Sequence, residues 1–247
     1  ADKTVRVWSV ATGECVHTFT GHSGWVSSAN FSPDGTMIVS ASDDGIVRVW
    51  NVVDGTLNKE LSGHTDRVNS VKFWPSTRTL ENDRSFHLGG KHIQEMIVSA
   101  SKDRTVRVWN VETSECMQIL DEGHVSAVNS AQFSPDGQKI ISTDNGGGFR
   151  LWRWTDRDKG PYEHLFLPSV TMYSAEFSPD GRHIVSGGSN KAYMWDVETK
   201  ALVKDFYVTA DRGVMNSVQF SPDGRKILTA STSNNVRVWD VDSRSIA

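Results

Sequence analysis

The sequence predicts an all-β chain of short, four-stranded antiparallel sheets stacked side by side. Three observations carry that expectation. First, a tryptophan closes a nearly constant phrase six times in 247 residues, at Trp8, Trp50, Trp109, Trp152, Trp195 and Trp239. The phrases read TVRVW, IVRVW, TVRVW, FRLW, AYMW and VRVW, at intervals of 42, 59, 43, 43 and 44 residues. Second, other markers keep the same phase. FSPDG stands at 31–35, 133–137, 177–181 and 220–224, with FWPST at 73–77 in the matching place. Gly21-His22, Gly63-His64 and Gly123-His124 each place the His nine residues before a Phe (Phe31, Phe73 and Phe133). Third, the texture between markers is β. WVSSANF, TMIVSAS and IVRVWNV are short runs of Val, Ile, Thr and aromatics, which suit a pleated, half-buried surface. SPDG, SDDG and VDGT divide them, and Pro and Gly supply the backbone angles that turns need. No window sustains a 3.6-residue apolar period. Each unit of ~43 residues therefore holds about four strands. One such sheet cannot bury both its faces, and radial stacking of neighbours does so while leaving short edges.

Together these markers resemble the WD40-repeat β-propellers over almost the whole chain. Only Trp195-Asp196 and Trp239-Asp240 spell the dipeptide; Ser follows Trp8, Asn follows Trp50 and Trp109, and Arg follows Trp152. The resemblance implies strands a to d in each blade, with the repeat Trp on strand c. In order, the chain opens on strands c (4–10) and d (15–20), an incomplete first blade over 1–20. Blades follow at about 21–62, 63–120, 121–166, 167–207 and 208–247, the last supplying a, b and c before SRSIA. The expectation is a single domain, 1–247, of about five and a half blades, part of a seven-bladed or larger ring. Pairing of open blade edges with another chain is the rival explanation, since bare strands invite it. The opening ADKTVRVWSV lacks an initiator Met and an apolar signal core, so the chain is expected to start after processing or inside a longer polypeptide.

Composition narrows the function classes. Apolar residues are 37% and charged residues 23%, which fits neither a membrane protein nor a disordered tail. Net charge is −4, and a nucleic-acid binder usually carries a basic excess. Two cysteines, Cys15 and Cys116, are too few for a secreted disulfide framework and point to a reducing compartment; the expected setting is intracellular, cytoplasmic ahead of nuclear. Both sit seven residues after a repeat Trp and read as buried strand-d thiols.

Ser, His and Asp recur together. His22, Ser40 and Asp44 accompany Trp50; His64, Ser99 and Asp103 accompany Trp109. A hydrolase triad uses these residue types, but triads are recognised by geometry, and an active site is not built once per repeat. The resemblance implies a structural tetrad instead: the Trp ring nitrogen donates to Ser or Thr, which links through His to Asp. Later units depart from it. The fourth keeps His124, Ser142 and Trp152 with Gly146 at the Asp position. The fifth keeps Ser186 and Trp195 with Pro168 at the His position. The sixth keeps Thr229 and Trp239 with Asp211 and Ser233 at the other two. These later blades are expected to be held less rigidly. Arg6, Arg48, Arg107, Arg150 and Arg237 stand two before a repeat Trp and are expected to meet neighbouring blades. Asn30-Phe31-Ser32 matches a glycosylation sequon, discounted because Phe31 should be buried. No phosphate loop, HExxH or GxSxG occurs. No catalytic residue, cofactor or metal site is assigned; His87 and His92 lie in the insertion without a partner set.

Function is then expected in loops. The resemblance places variable contact positions at the start of strand a, two residues later, and just before the turn Asp. These are Trp25, Ser27 and Asp43, then Arg67, Asn69 and Lys102, with Ala127 and Asn129, Thr171 and Tyr173, and Val214 and Asn216 in later units. Trp25 leads, because its equivalents Arg67, Ala127, Thr171 and Val214 are not aromatic, and beside Arg67 and Tyr173 it has hot-spot composition. On the opposite face the third unit inserts about 17 residues around 77–94, a partner-specific arm or a tolerated insertion. Trp154, in the unusual stretch 154–169, is expected to cover the adjacent sheet. The resulting expectation is a non-catalytic scaffold holding a protein or peptide on its loop face within a multiprotein assembly. A ligand-sensing repeat domain of an NLR-like signalling protein and a nucleic-acid-associated subunit are the alternatives.

Overall fold

A computed structural model describes residues 2–75, 95–147, 149–154, 162–164 (backbone only), 171–207 and 213–242. The insertion at 77–94, with His87 and His92, lies outside them, as do Pro168, Asp211 and most of the stretch after Trp154. The described residues form twenty-one β-strands and no helix, so no helix is long and apolar enough to cross a membrane.

The chain packs as two compact units, Ala1–Asp121 and Glu122–Ala247. The first holds β1 (Val5–Trp8) and β2 (Cys15–Phe19) as a two-stranded sheet. A four-stranded sheet follows in the order β3 (Val26–Phe31), β4 (Met37–Ser42), β5 (Val47–Asn51), β6 (Leu57–Leu61). The next has β7 (Val68–Phe73), β8 (Met96–Ser101), β9 (Val106–Asn110) and β10 (Cys116–Leu120). The second unit repeats the plan. One sheet holds β11 (Val128–Phe133), β12 (Ile140–Asp144), β13 (Phe149–Trp152) and β14 (Tyr162–His164). Another holds β15 (Ser174–Phe177), β16 (His183–Gly187), β17 (Ala192–Asp196) and β18 (Leu202–Phe206). The last has three strands, β19 (Met215–Phe220), β20 (Lys226–Ser231) and β21 (Val236–Asp240). Every pairing is antiparallel between consecutive strands, as short hairpin turns require.

The first hairpin of four of the sheets is set by SPDG. In the β3–β4 turn the Ser32 hydroxyl donates to Asp34 (2.6 Å) and accepts the Met37 N–H (2.9 Å). Gly35 takes φ +73°, a conformation that a Cβ disfavours. The same bonds recur from Ser134, Ser178 and Ser221. This turn fixes the β3–β4 register, with Phe31 facing Ile38 and Ala29 facing Ser40. The SDDG turn, where the Gly45 N–H donates to the Ser42 carbonyl, closes β4 on β5 so that Ile38 faces Trp50 and Ser40 faces Arg48.

The core lies between successive sheets. Met37, Val39, Ala41, Val47 and Val49 of one sheet meet Val68, Val71, Phe73 and Ile97 of the next. In the second unit Ile141, Phe149 and Leu151 meet Ala175, Phe177 and Ile184, and Val185, Ala192 and Met194 meet Val218, Phe220 and Ile227.

Several side chains sit elsewhere than the sequence suggests. Phe31 is 55% exposed where its equivalent Phe73 is 9% exposed. The difference is packing: β4 and β5 of the preceding sheet cover Phe73, and β3 has no such cover over Phe31. Cys15 is exposed and Cys116 half-buried, because β2 and β10 are the outermost strands of their sheets and one face meets solvent. Trp154 is buried, but against its own sheet. Its ring stacks edge-on Phe133 at 5.7 Å and its N–H donates to the Gly137 carbonyl at 3.0 Å.

Candidate functional site

Two constellations were singled out by sequence. One is the Ser-His-Asp set. On β4, Ser40 and Ile38 share a face, and Trp50 lies opposite Ile38. The indole N–H therefore reaches diagonally to Ser40 Oγ, at 2.8 Å. That hydroxyl donates to His22 Nε2 (2.7 Å), and His22 Nδ1–H donates to Asp44 Oδ2 (2.9 Å). The sheet of β7–β10 repeats it: Trp109 to Ser99 at 2.8 Å, Ser99 to His64 at 2.7 Å, His64 to Asp103 at 2.7 Å. The carboxylates also take backbone N–H groups, Ile46 and Ser23 for Asp44 and Thr105 and Thr65 for Asp103. Each network ties the loop before strand a to the b–c turn.

The electrostatics follow from burial. Burial is the largest influence on His22 and His64 and lowers both below the usual imidazole value, against the pull of Asp44 and Asp103. Burial alone would raise the two carboxyls. Hydrogen bonds from the histidines, the backbone N–H groups, Arg48 and Thr105 outweigh it and hold both far below the carboxylate range. The resting state is a neutral imidazole carrying its proton on Nδ1, beside a carboxylate. A nucleophile must reach a substrate, and Ser40 and Ser99 are wholly buried with their hydroxyls spoken for on both sides. The arrangement fastens loops.

Sequence reasoning missed two members. Gly146 is not where the fourth network ends. Asp144, two residues earlier at the end of β12, meets His124 Nδ1 at 2.7 Å, and the Gly146 N–H donates to its other oxygen at 2.9 Å. The b–c turn simply carries its acid earlier. Trp152 to Ser142 and Ser142 to His124 are both 2.7 Å, so this network is complete. Two of the arginines expected to meet neighbouring blades, Arg48 and Arg150, bond within their own. Arg48, directly across from Ser40, donates to Asp44 (2.9 Å) and Glu60 (2.7 Å). Arg150 donates to Asp144 (2.9 Å) and the Gly123 carbonyl. Their recurrence opposite the Ser position was the available signal. In the later sheets Trp195 donates to Ser186 (3.0 Å) and Trp239 to Thr229 (2.9 Å).

The second constellation is the loop face. In the first unit Trp25 stands just before β3 and is 61% exposed. Its carbonyl accepts the Asp43 N–H at 2.8 Å, which ties the loop before strand a to the turn carrying exposed Asp43. Arg67 and Lys102 repeat this bond at 3.0 Å, both side chains exposed. Ser27 is used differently: its hydroxyl bridges the Ala41 and Val68 carbonyls and joins β3's sheet to β7's. Asn69 is half-buried just inside β7. In the second unit Asn129 Nδ2 donates to Asn145 Oδ1 (2.8 Å) and the Met172 carbonyl (3.0 Å), and Tyr173 is half-buried with its N–H on the Gly187 carbonyl. Thus Trp25, Asp43, Arg67 and Lys102 offer side chains to solvent, while Ser27 and Asn129 spend theirs on backbone. Among the described residues no group of three or more His, Cys, Asp or Glu could hold a metal ion.

Comparison with known proteins gives one family. The model described as WD domain, G-beta repeat matches residues 13–51, 55–110, 114–153, 164–196 and 204–240. The nuclear distribution protein PAC1 of Coccidioides posadasii is 27% identical over 158 residues, 61% of this chain and 32% of its own length. The small ribosomal subunit protein RACK1y of Oryza sativa is 30% identical over 150 residues, 59% and 44% of the two lengths. Polycomb protein esc of Drosophila melanogaster is 34% identical over 73 residues, 29% and 16%. The chain spans about a third of the length of the first of these relatives.

Proposed function

The chain belongs to the WD domain, G-beta repeat family, and on that premise we propose that it is a non-catalytic, intracellular scaffold that docks a protein or peptide on its loop face. The observation that carries this is Trp25. A large aromatic on a loop face, two-thirds open to solvent, is the residue type that anchors interfaces. It is specific to one blade, whereas the buried Trp50, Trp109, Trp152, Trp195 and Trp239 recur with the fold. Exposed Asp43, whose N–H bonds the Trp25 carbonyl, adds an anion beside it, and exposed Arg67 and Lys102 hold the equivalent positions of the next sheet. One relative is by name a small ribosomal subunit protein, a component of an assembly, and that supports membership of a multiprotein assembly. Pairing through an open sheet face belongs to the same reading, favoured by the uncovered Phe31.

The test is affinity capture with the intact chain, followed by titration of the captured protein. Trp25→Ala is expected to weaken that partner at least tenfold, since a buried aromatic anchor contributes ~2 kcal/mol or more. Val53→Ala, at a still more exposed apolar residue on a c–d turn, is expected to leave it unchanged. Retention of full affinity by a folded Trp25→Ala protein sinks the reading.

A further inference from the structure

The SPDG turns differ between copies at the two residues that follow the glycine. In the first unit these are Thr36 and Met37; in the second they are Gln138 and Lys139, Arg182 and His183, and Arg225 and Lys226. The repeat fixes the turn and leaves these positions free, so their basic character in one unit is not imposed by the fold. Packing then gathers some of them. The Pro135 ring stands over Gly181 in ordinary packing contact: a Cβ there would lie 3.6 Å from Pro135 Cδ. That contact sets the Ser134 turn beside the Ser178 turn and brings the start of β12 next to the start of β16.

Between these turns lies a cleft of about 820 Å³. Its cations are Lys139, Arg153, Arg182 and Lys200, with His183 among them; its anions are Asp196 and Glu198. They come from four separate segments: the ends of β12, β13 and β16 and the β17–β18 turn. The lining carries net charge +2 with His183 neutral, on a chain whose net charge is −4. Asp196 is partly spent, since one of its oxygens accepts the Glu198 and Thr199 N–H groups and the Thr199 hydroxyl.

We propose that this cleft binds a compact polyanion, a phosphate ester or polyphosphate of small-molecule size. Three features support it. The volume falls in the range of small-ligand sites. The cations converge on one concavity, where an extended acidic chain would need them strung along a groove. Two of the four are arginines, whose planar forks suit phosphate oxygens. The site is on the turn side of the sheets, away from the loops that carry Asn129 and Tyr173, and it goes beyond the docking proposed for Trp25.

The test is isothermal titration of the intact chain with inorganic tripolyphosphate, with ATP and with a ten-residue glutamate peptide. Tripolyphosphate and ATP are expected to bind saturably at one site, and more weakly as salt rises. Arg182→Glu with Lys200→Glu is expected to lower their affinity at least tenfold. Arg225→Glu, at the same turn position one sheet further on and outside the cleft lining, is expected to change it less than twofold. All three side chains lie at the surface or partly so, and a thermal melt checks that each variant stays folded. Equal weakening by Arg225→Glu would reduce the effect to general surface charge and overturn the proposal. So would tighter binding of the glutamate peptide, or no saturable binding of either phosphate compound. Loss of partner capture by Trp25→Ala is independent of all these outcomes.

Discussion

Ser99 is the sharpest place to test what the repeated network contributes. Its side chain is wholly buried, and its one hydroxyl accepts the Trp109 N–H and donates to His64 Nε2. Ser99→Ala removes almost no volume and leaves two buried polar groups without their partner. A buried orphan costs about 1–3 kcal/mol, so the substitution should cost ~3 kcal/mol. Ser186→Ala is the matched control. Among the described residues Ser186 answers only the Trp195 N–H, so one orphan results and about 1–2 kcal/mol is lost. Ser99→Thr keeps the hydroxyl, as Thr229 does at the same position of β20, and should cost under ~1 kcal/mol. Because Ser99 and Ser186 belong to different compact units, a single global transition is the wrong readout. Native-state hydrogen exchange gives the opening free energy of β8 and β16 separately. If Ser99→Ala and Ser186→Ala lower those energies equally, or Ser99→Ala by less than ~1 kcal/mol, the cooperative network carries no special stability and the reasoning fails.

Two further predictions concern the same networks. His22 and His64 are held, chiefly by burial, below their ordinary value of 6.5. Between the folded and unfolded pKa the unfolded chain binds more protons, so this stability is full above pH 6.5 and is lost as pH falls. Asp44 and Asp103, lowered from 3.8, add a second loss as pH falls below that value. The urea midpoint of the first unit should hold from about pH 8 to 7 and decline below it; a flat profile from 7 to 5 would contradict this. Gly146→Asp restores the expected sequence pattern yet should destabilise the second unit. A Cβ there would sit 3.3 Å from Asp144 Oδ1, adding a carboxylate beside one already buried, whereas Asp144→Ala should cost about 3 kcal/mol or more by stranding Arg150. A raised melting temperature for Gly146→Asp would show that the glycine position is the true end of that network.

The sheets were legible because their signals are local. SPDG and SDDG each dictate a tight turn, the turns set the β3–β4 and β4–β5 registers, and the second register places Trp50 diagonally to Ser40. What the sequence hid depends on contacts that no single repeat contains. Phe31 and Phe73 occupy the same place in the phrase, and only a neighbouring sheet separates an exposed ring from a buried one. Asp144 escaped because counting back from Trp152 assumes a fixed turn length, while geometry requires only a carboxylate within reach of His124. The arginines were visible as a recurrence, but their partners were not: a side chain directly across from Ser can turn inward to the acid or outward to a neighbour.

The later sheets show why departures from the repeat need not be losses. In β16–β17 the residue across from Ser186 is Tyr193 where other copies have Arg. Tyr193 packs on Trp195 with ring centroids 6.2 Å apart, and Phe149 of the preceding sheet lies 6.0 Å from the same ring. Burial of aromatic area thus stands where Arg and Asp stand in β12–β13. Replacing a buried ionic network by packed apolar groups is often neutral or favourable, because charges are costly to desolvate and an aromatic pair adds ~1 kcal/mol beyond its area. A small penalty for Ser186→Ala would therefore measure how little that sheet leans on one hydroxyl, and not how weakly the sheet is held. The two quantities separate under hydrogen exchange. If β16 opens no faster than β8 while Ser186→Ala costs less than Ser99→Ala, packing has taken over the work of the network; if β16 opens faster, it has not.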